Sequence, residues 1–263
     1  MVELILLKIG GSIITKKSIQ EPKIDSSNLK RISSEIAEVY KGRSFKLIIV
    51  HGAGSFGHPI VKRTGIHEGI IRQDQIFSFA ETQLLQNRLN VEICQVLQEF
   101  NLPAIPIQPS ASAIMENKRL ISLNYNLIGS LLDLSLIPVL FGVPAFDKEQ
   151  KCSILSGDQI IAYLAKQYES RYESQTIIFA SNVDGIFGKN QQLIEKITND
   201  NYEQIKDTFY QAIYDDVTGS MAGKISELEN LKGIKSYIIN GTKKNIIKKI
   251  LSGQKVRGTV IEF

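Results

Sequence analysis

His51-Gly52-Ala53-Gly54-Ser55-Phe56-Gly57-His58-Pro59 follows the apolar run Phe45-Lys46-Leu47-Ile48-Ile49-Val50, so the stretch reads as a strand running straight into a glycine-rich turn. Glycines lack a Cβ and let backbone N–H groups approach an anion. Pro59 suits the first turn of a helix, whose N-terminus also favours negative charge. The loop therefore predicts a phosphate cradle beyond the carboxyl end of a strand. Gly52, Gly54 and Gly57 also complete G-x-G-x-x-G, but a dinucleotide-binding unit needs a second strand ending in Asp or Glu about 20 residues later. Glu68, Asp74 and Glu81 lie in polar or helix-like sequence, and the dinucleotide reading is set aside.

Outward from this loop, further strands end in small residues. Residues 3 to 9 form a continuous apolar run suited to the middle of a parallel sheet, and it ends in Lys8-Ile9-Gly10-Gly11-Ser12 with Lys16-Lys17 close behind. A lysine inside such a run must be paired or aimed at an anion, and the anion is the expectation for Lys8. Between these strands, Leu29, Ile32, Ile36, Val39 and Tyr40 recur at helical spacing, with Ser26, Ser27 or Asn28 available as cap. Residues 73 to 100 predict a long helix with Ile76, Phe77, Ala80, Leu84, Leu85, Leu89, Ile93, Val96 and Leu97 on its apolar side, the first turns walling a pocket near the central loop.

Beyond it come a strand at 104 to 107, a hairpin within 111 to 123 turning at Glu116-Asn117-Lys118-Arg119, a helix at 126 to 135 and a buried strand at 137 to 142. Ser156-Gly157-Asp158-Gln159 opens another helix, capped by Ser156 or Asp158. The strand 176 to 180 then ends in Ser181-Asn182-Val183-Asp184-Gly185-Ile186-Phe187. After a helix at 201 to 213, Asp215-Asp216-Val217-Thr218-Gly219-Ser220-Met221-Ala222-Gly223-Lys224 supplies a fourth small-residue loop. It is not a Walker A loop, since three residues separate Gly219 from Gly223 and Ile225 stands where Ser or Thr is required. A helix at 225 to 231, a strand at 236 to 240, a helix at 245 to 251 and a strand at 258 to 262 close the chain.

This alternation predicts an α/β fold, a three-layer sandwich around a mainly parallel open sheet with a small β-hairpin flap beside it. No linker or repeat divides the chain, so 1–263 reads as one domain, with an N-terminal lobe of about 1–150 and a C-terminal lobe of about 151–263. At 263 residues, 43% hydrophobic and 22% charged, it is long enough for a large core, and its net charge of +4 is too modest and scattered to indicate nucleic acid. The apolar N-terminal run is too short for a signal-peptide core, no stretch approaches the roughly 20 residues of a membrane span, and two cysteines, Cys94 and Cys152, read as reduced thiols. A cytoplasmic protein is expected.

In an open parallel sheet the strand ends share one edge, so the loops at 8–12, 51–58 and 181–187 should face one crevice. Several facing anion cradles suit a nucleotide at one end and a phosphorylated acceptor at the other. Phosphoryl transfer needs positioned charge more than covalent chemistry. Lys8, Lys17 and Lys224 can supply that charge, and Asp158 can hold the lysines. Lys8-Ile-Gly-Gly-Ser12, His51-Gly-Ala-Gly-Ser-Phe-Gly-His58, Ser156-Gly-Asp158, Asn182-Val-Asp-Gly185 and Asp216-Val-Thr-Gly-Ser-Met-Ala-Gly-Lys224, in this order over the whole chain, resemble the amino acid kinase superfamily. Within it they look most like the isopentenyl phosphate kinase branch, for which the Gly-Ser-Phe-Gly-His segment ending in His58 is the most discriminating feature.

The resemblance implies that Lys8, Ile9, Gly10, Gly11, Ser12 and Gly54 contact ATP phosphates and that Lys17 stabilises the transferring group. It further implies that Ala53, His58 and Gly157 hold the acceptor phosphate, that Asp184, Gly219 and Lys224 belong to the nucleotide side, and that Mg²⁺ bridges nucleotide oxygens without an assigned protein ligand. Lys8, Lys17, His58 and Asp158 become the expected catalytic set, and a homodimer the expected assembly. His51 is assigned to packing and His67 to the surface. Gln83, following Thr82 where this branch often carries histidine, lies on the helix expected to line the acceptor's tail, so chain-length preference can differ. The neighbouring readings are a fosfomycin-type phosphonate kinase, sharing the fold and a histidine-containing loop, and a nucleotide-binding protein without turnover. The charges retained at Lys8, Lys17, Asp158 and Lys224 speak against the second.

Overall fold

The computed structural model describes residues 2–16, 21–188, 191–210 and 221–263, so Lys17 and Gly219 lie outside the described residues. Its frame is an eight-stranded sheet of β1 (Leu4–Ile9), β2 (Lys46–His51), β3 (Ala104–Pro106), β4 (Ile137–Phe141), β5 (Gln175–Ser181), β6 (Lys196–Thr198), β7 (Lys235–Asn240) and β8 (Gly258–Glu262). The spatial order is β6-β8-β7-β5-β1-β2-β4-β3. Only the β7/β8 pair is antiparallel among the sheet's neighbours, as the apolar runs without polar alternation require.

The chain leaves β1 on one side to build β2, β3 and β4 and later returns on its other side with β5. The carboxyl end of β1 is therefore a topological switch point, where an open α/β sheet forms its ligand crevice.

Side-chain parity along β1 builds the three layers. Leu4 and Leu6 enter one buried cluster with Ile128, Ile160, Leu164, Ile225 and Leu228, whereas Ile5, Leu7 and Ile9 enter the opposite one with Leu29, Ile36, Leu89, Ile93 and Ile247. The helices of the first face are α4 (Tyr125–Asp133), α5 (Gly157–Gln167) and α7 (Met221–Leu228). Those of the second are α1 (Ser26–Tyr40), α3 (Asp74–Glu99) and α8 (Ile246–Leu251), while α2 (His58–Thr64) follows the central loop and α6 (Asn199–Tyr210) lies between β6 and α7.

The buried Glu35 of α1 ties the second face together. Its carboxylate accepts the amides of Asn245, Ile247 and Lys248 at 2.8, 3.0 and 3.2 Å, occupying the open N-terminal amides of α8, and pairs with Arg31 at 2.6 Å.

Two local expectations change. The cap of α1 is Asp25, whose side chain accepts from Asn28 N, so Ser26 to Asn28, the proposed caps, are the first residues of the helix. In α3 the first turns are inverted. Ile76, Phe77 and Leu84 are 50%, 75% and 71% exposed, while Gln75, Thr82, Gln86 and Asn90 are buried. The inward polar groups have work to do: Gln75 Oε1 accepts the amides of Ile71 and Arg72, Thr82 bonds back to Ser78 O, and Asn90 Nδ2 donates to Val139 O. Ile76, Phe77, Ala80 and Leu84 therefore face away from the buried core. The hairpin Ile114–Glu116/Arg119–Ser122 forms its own two-stranded sheet, as expected.

Candidate active site

The loops after β1 and β2 meet backbone to backbone. A Cβ at Gly11 would stand 2.3 Å from Gly54 N, and one at Gly52 would stand 2.6 Å from Gly11 N, so any side chain at either position would drive the loops apart. Gly54 has φ +51°, and its Cβ would fall 2.2 Å from Thr15 Oγ1. Thr15 is the pin: its hydroxyl donates to Gly11 O at 2.8 Å and accepts from Ser55 N at 3.1 Å. Close approach, not only anion access, thus explains these glycines. The sequence carries no motif that singles out Thr15.

Where the backbone amides go defines what the cradle can bind. The amides of Gly52, Phe56 and Gly57 are taken by Ile9, Ala53 and Gly54 carbonyls. Those of Ala53, Gly54 and His58 in the central loop, of Gly11 and Ser12 after β1, and of Gly157 and Asp158 at the start of α5 have no acceptor among the described residues. Gly11, Gly157 and Asp158 are buried and Ala53 and Gly54 half-buried, so their amides require partners, and three sets opening onto one crevice suit anionic oxygens. Ser156 caps α5 by accepting from Gln159 N at 3.1 Å, which resolves the choice between Ser156 and Asp158. Gly157 packs over Lys8, a Cβ there meeting Lys8 Cε at 3.2 Å.

Lys8 shares the face of Leu4 and Leu6, so its stem is buried and its Nζ emerges at the crevice, hydrogen-bonded to Asp158 Oδ1. Asp158 Oδ2 lies 3.5 Å from Lys224 Nζ. The side chains of these three groups are 12–15% exposed. Burial would raise the Asp158 pKa, but the two ammonium groups outweigh it and hold the carboxyl below its usual range. Burial, with Lys224 adding to it against the pull of Asp158, lowers the Lys8 pKa. Lys8 is thus paired in the protein by itself, with the carboxylate expected to hold the lysines, and its ammonium still stands at the crevice that an arriving phosphate would enter.

His58 begins α2 immediately beyond the loop, exposed at the crevice side. Partial burial and then the charge of Lys8 lower its pKa from the ordinary 6.5. His51 is fully buried, stacked on Phe141 at 5.3 Å, with its pKa pushed down to about 4 by burial, and is a packing residue as expected. His67 lies at the surface. Asp184, after β5, accepts from Asn240 at 2.8 Å and pairs with Lys243 at 2.7 Å and Arg257 at 3.1 Å. Both of its oxygens are engaged, so it gathers cations beyond the end of β5. Lys243 and Arg257 were missed because in sequence they are scattered surface charges, and only the fold gathers them on Asp184.

Among the described residues no group of three or more His, Cys, Asp or Glu side chains is placed to hold a metal ion, and no helix is long and apolar enough to cross a membrane. Residues 3–240 match the amino acid kinase family. The chain is 37% identical to an isopentenyl phosphate kinase of Methanothermobacter thermautotrophicus, over 98% of both chains. It is 35% identical to that of Methanocaldococcus jannaschii, over 99% of both. An X-ray structure of an isopentenyl phosphate kinase superposes with a TM-score of 0.82 at 34% identity, covering 98% of this chain and 100% of the other.

Proposed function

The chain belongs to the amino acid kinase family, and from that premise we propose that it transfers the γ-phosphoryl group of ATP to isopentenyl phosphate, forming isopentenyl diphosphate and ADP. The observation that carries this reading is the Lys8–Asp158–Lys224 cluster at the switch point, bordered by three sets of open amides and by His58.

An ionised oxygen of the acceptor phosphate attacks the γ-phosphorus. The new O–P bond forms as the bond to the β–γ bridging oxygen breaks, and ADP leaves with that electron pair. No proton has to be removed first, so His58 orients the acceptor and is not a base. Lys8, Ile9, Gly10, Gly11, Ser12 and Gly54 are assigned to the ATP phosphates, and Lys17 to the transferring group. Ala53, His58 and Gly157 are assigned to the acceptor phosphate, and Asp184, Gly219 and Lys224 to the nucleotide side. We read the chain as an acceptor-binding lobe of about 1–150 and a nucleotide-binding lobe of about 151–263, with the phosphate loops at 8–12 and 54 contributed to the nucleotide by the first and Gly157 to the acceptor by the second.

The crevice suits a polyphosphate accompanied by Mg²⁺, because cations and amides line it and the carboxylates Asp158 and Asp184 are already engaged by lysines and arginine. The metal, when bound on nucleotide oxygens, would supply further neutralisation of charge. The test of the function is a panel of isopentenyl, dimethylallyl and geranyl monophosphates and fosfomycin with Mg-ATP, read as ADP release. Preference for fosfomycin would move the chain to the phosphonate kinases, and no acceptor-dependent ADP would favour a binding protein.

His58→Ala is expected to raise the acceptor KM about 10- to 100-fold, the equivalent of a hydrogen bond to a charged group worth roughly 1.5–3 kcal/mol, with ATP affinity nearly unchanged. His58→Gln should recover part of the loss, since an amide still donates. If only ATP affinity falls, the two phosphates are oriented the other way round.

The outward stripe of α3 supports a homodimer. Phe77, Leu84 and Val91 recur every seven residues at 75%, 71% and 44% exposure, and a two-fold axis would let one such stripe cover another. Leu84→Asp should convert a dimer to a monomer in light scattering, and a wild type that is monomeric at micromolar concentration would remove this assembly. The thiols Cys94 and Cys152 are unpaired, and burial raises both pKa values to about 12, consistent with a reducing cytoplasmic setting that fractionation can check.

A further inference from the structure

The hairpin Ile114–Glu116/Arg119–Ser122 is fastened at three points. Lys118, in its turn, donates its amide to Asp147 Oδ2 at 2.9 Å. Gln159, next to Asp158, accepts the Leu120 amide at 3.2 Å and donates to the Lys118 carbonyl at 3.1 Å, so its side chain imitates a neighbouring strand. Arg119 forms a two-pronged pair with Glu227 of α7, at 2.5 and 2.8 Å. The Glu227 side chain is 10% exposed and that of Arg119 60%, so the guanidinium covers a carboxylate largely withdrawn from water.

Glu227 lies three residues beyond Lys224 on α7, and residues at that spacing are neighbours on one side of a helix. Lys224 in turn lies 3.5 Å from Asp158, whose sequence neighbour Gln159 grips the hairpin. A closed ring of contacts runs from Asp158 through Gln159, the hairpin, Arg119, Glu227 and Lys224 back to Asp158. An isolated surface pair contributes little; one that closes such a ring constrains where the lysine stands.

We propose that Arg119 and Glu227 are positioning residues for phosphoryl transfer, fixing α7 so that Lys224 bears on Asp158 and, through Asp158, setting the place of Lys8. The inference rests on the reading of Lys8, Asp158 and Lys224 as transfer-site groups. It makes the hairpin, which belongs to the N-terminal half of the chain, a structural partner of the helix that carries a nucleotide-side lysine.

The test uses the full chain with Arg119→Ala, Glu227→Ala, the double variant and the charge exchange Arg119→Glu with Glu227→Arg. Each single variant should lower kcat about tenfold, since small misplacements of catalytic groups carry penalties of this order. The double variant should be no slower than the slower single one, and the exchange should recover most of the loss. The acid limb of the kcat profile should move to higher pH in the single variants, because Asp158 loses the nearby Lys224 charge. Lys224 acylation by an amine-reactive reagent, followed by peptide mass spectrometry, should accelerate severalfold in both single variants. Single variants with kcat within twofold of wild type, or losses that multiply in the double variant, would overturn the proposal. The acylation readout needs no turnover: an unchanged Lys224 rate refutes the positioning role even if wild type phosphorylates none of the acceptors, an outcome that would separately refute the proposed function.

Discussion

Asp158→Ala is expected to lose turnover by at least about 10²-fold and also to destabilise the fold by about 3–5 kcal/mol. Asp158 is buried and accepts from Lys8 while standing 3.5 Å from Lys224. Removing the carboxylate leaves the buried Lys8 ammonium without the carboxylate it bonds and beside a second ammonium, that of Lys224. Such a penalty arises from the stranded partners, not from the net value of the pair in the intact protein. Asp158→Asn keeps the shape and one acceptor oxygen, so it should retain more stability than alanine while losing most of the activity.

The pH dependence carries a second signature. The folded pKa of Asp158 is depressed, so its contribution to stability is present above the unfolded value of about 3.9 and is lost as pH falls through the lower folded pKa. Urea melts of wild type and Asp158→Ala at pH 7 and down the acid range would test this. Equal stability at pH 7 would mean that the lysines find other partners and that Asp158 is not the centre of the cluster.

The parts of the fold legible in the sequence were those fixed by local pattern. Continuous apolar runs gave interior parallel strands because both faces of β1 and β2 are covered, and the glycines marked the strand ends. The inversion of α3 was not legible for a physical reason. Apolar periodicity identifies a stripe but not what it faces, and near the central loop the core-facing positions Thr82, Gln86 and Asn90 are polar because backbone carbonyls must be met there: Gln86 Nε2 approaches Ala53 O at 3.5 Å and Asn90 bonds Val139 O at 3.1 Å.

Likewise Lys8 could be recognised as anomalous in an apolar run and Asp158 as a carboxylate able to hold lysines, but the two lie 150 residues apart and only the sheet order shows that they meet. Arg119 was legible only as the end of the hairpin turn and Glu227 not at all, and nothing in sequence joined the two. The site was therefore legible as loops and as lysines held by Asp158, and illegible in the contacts that tie the hairpin to the helix of Lys224.

Lys8→Met separates the chemical from the structural role of this network. Methionine retains much of the apolar volume of the lysine stem, which lies under Gly157, and the desolvation borne by the Lys8 ammonium disappears with the charge. Asp158 keeps Lys224, so no buried charge is stranded, and stability should change by no more than about 1.5 kcal/mol, the range of volume-conserving replacements. Turnover should nevertheless fall about 10²- to 10³-fold, the usual penalty for losing one electrostatic contact to the charge that develops in transfer, and ATP affinity should weaken as well because the same ammonium is assigned to its phosphates. Steady-state kinetics, calorimetry with ATP and a urea melt on one preparation give all three quantities. Near-normal kcat with an intact fold would remove Lys8 from the transfer path. Unfolding comparable to Asp158→Ala would show instead that the lysine is needed chiefly to neutralise a buried carboxylate, since Lys224 alone would then have proved insufficient, and the positive charge at the end of β1 would have to be read as architecture before chemistry.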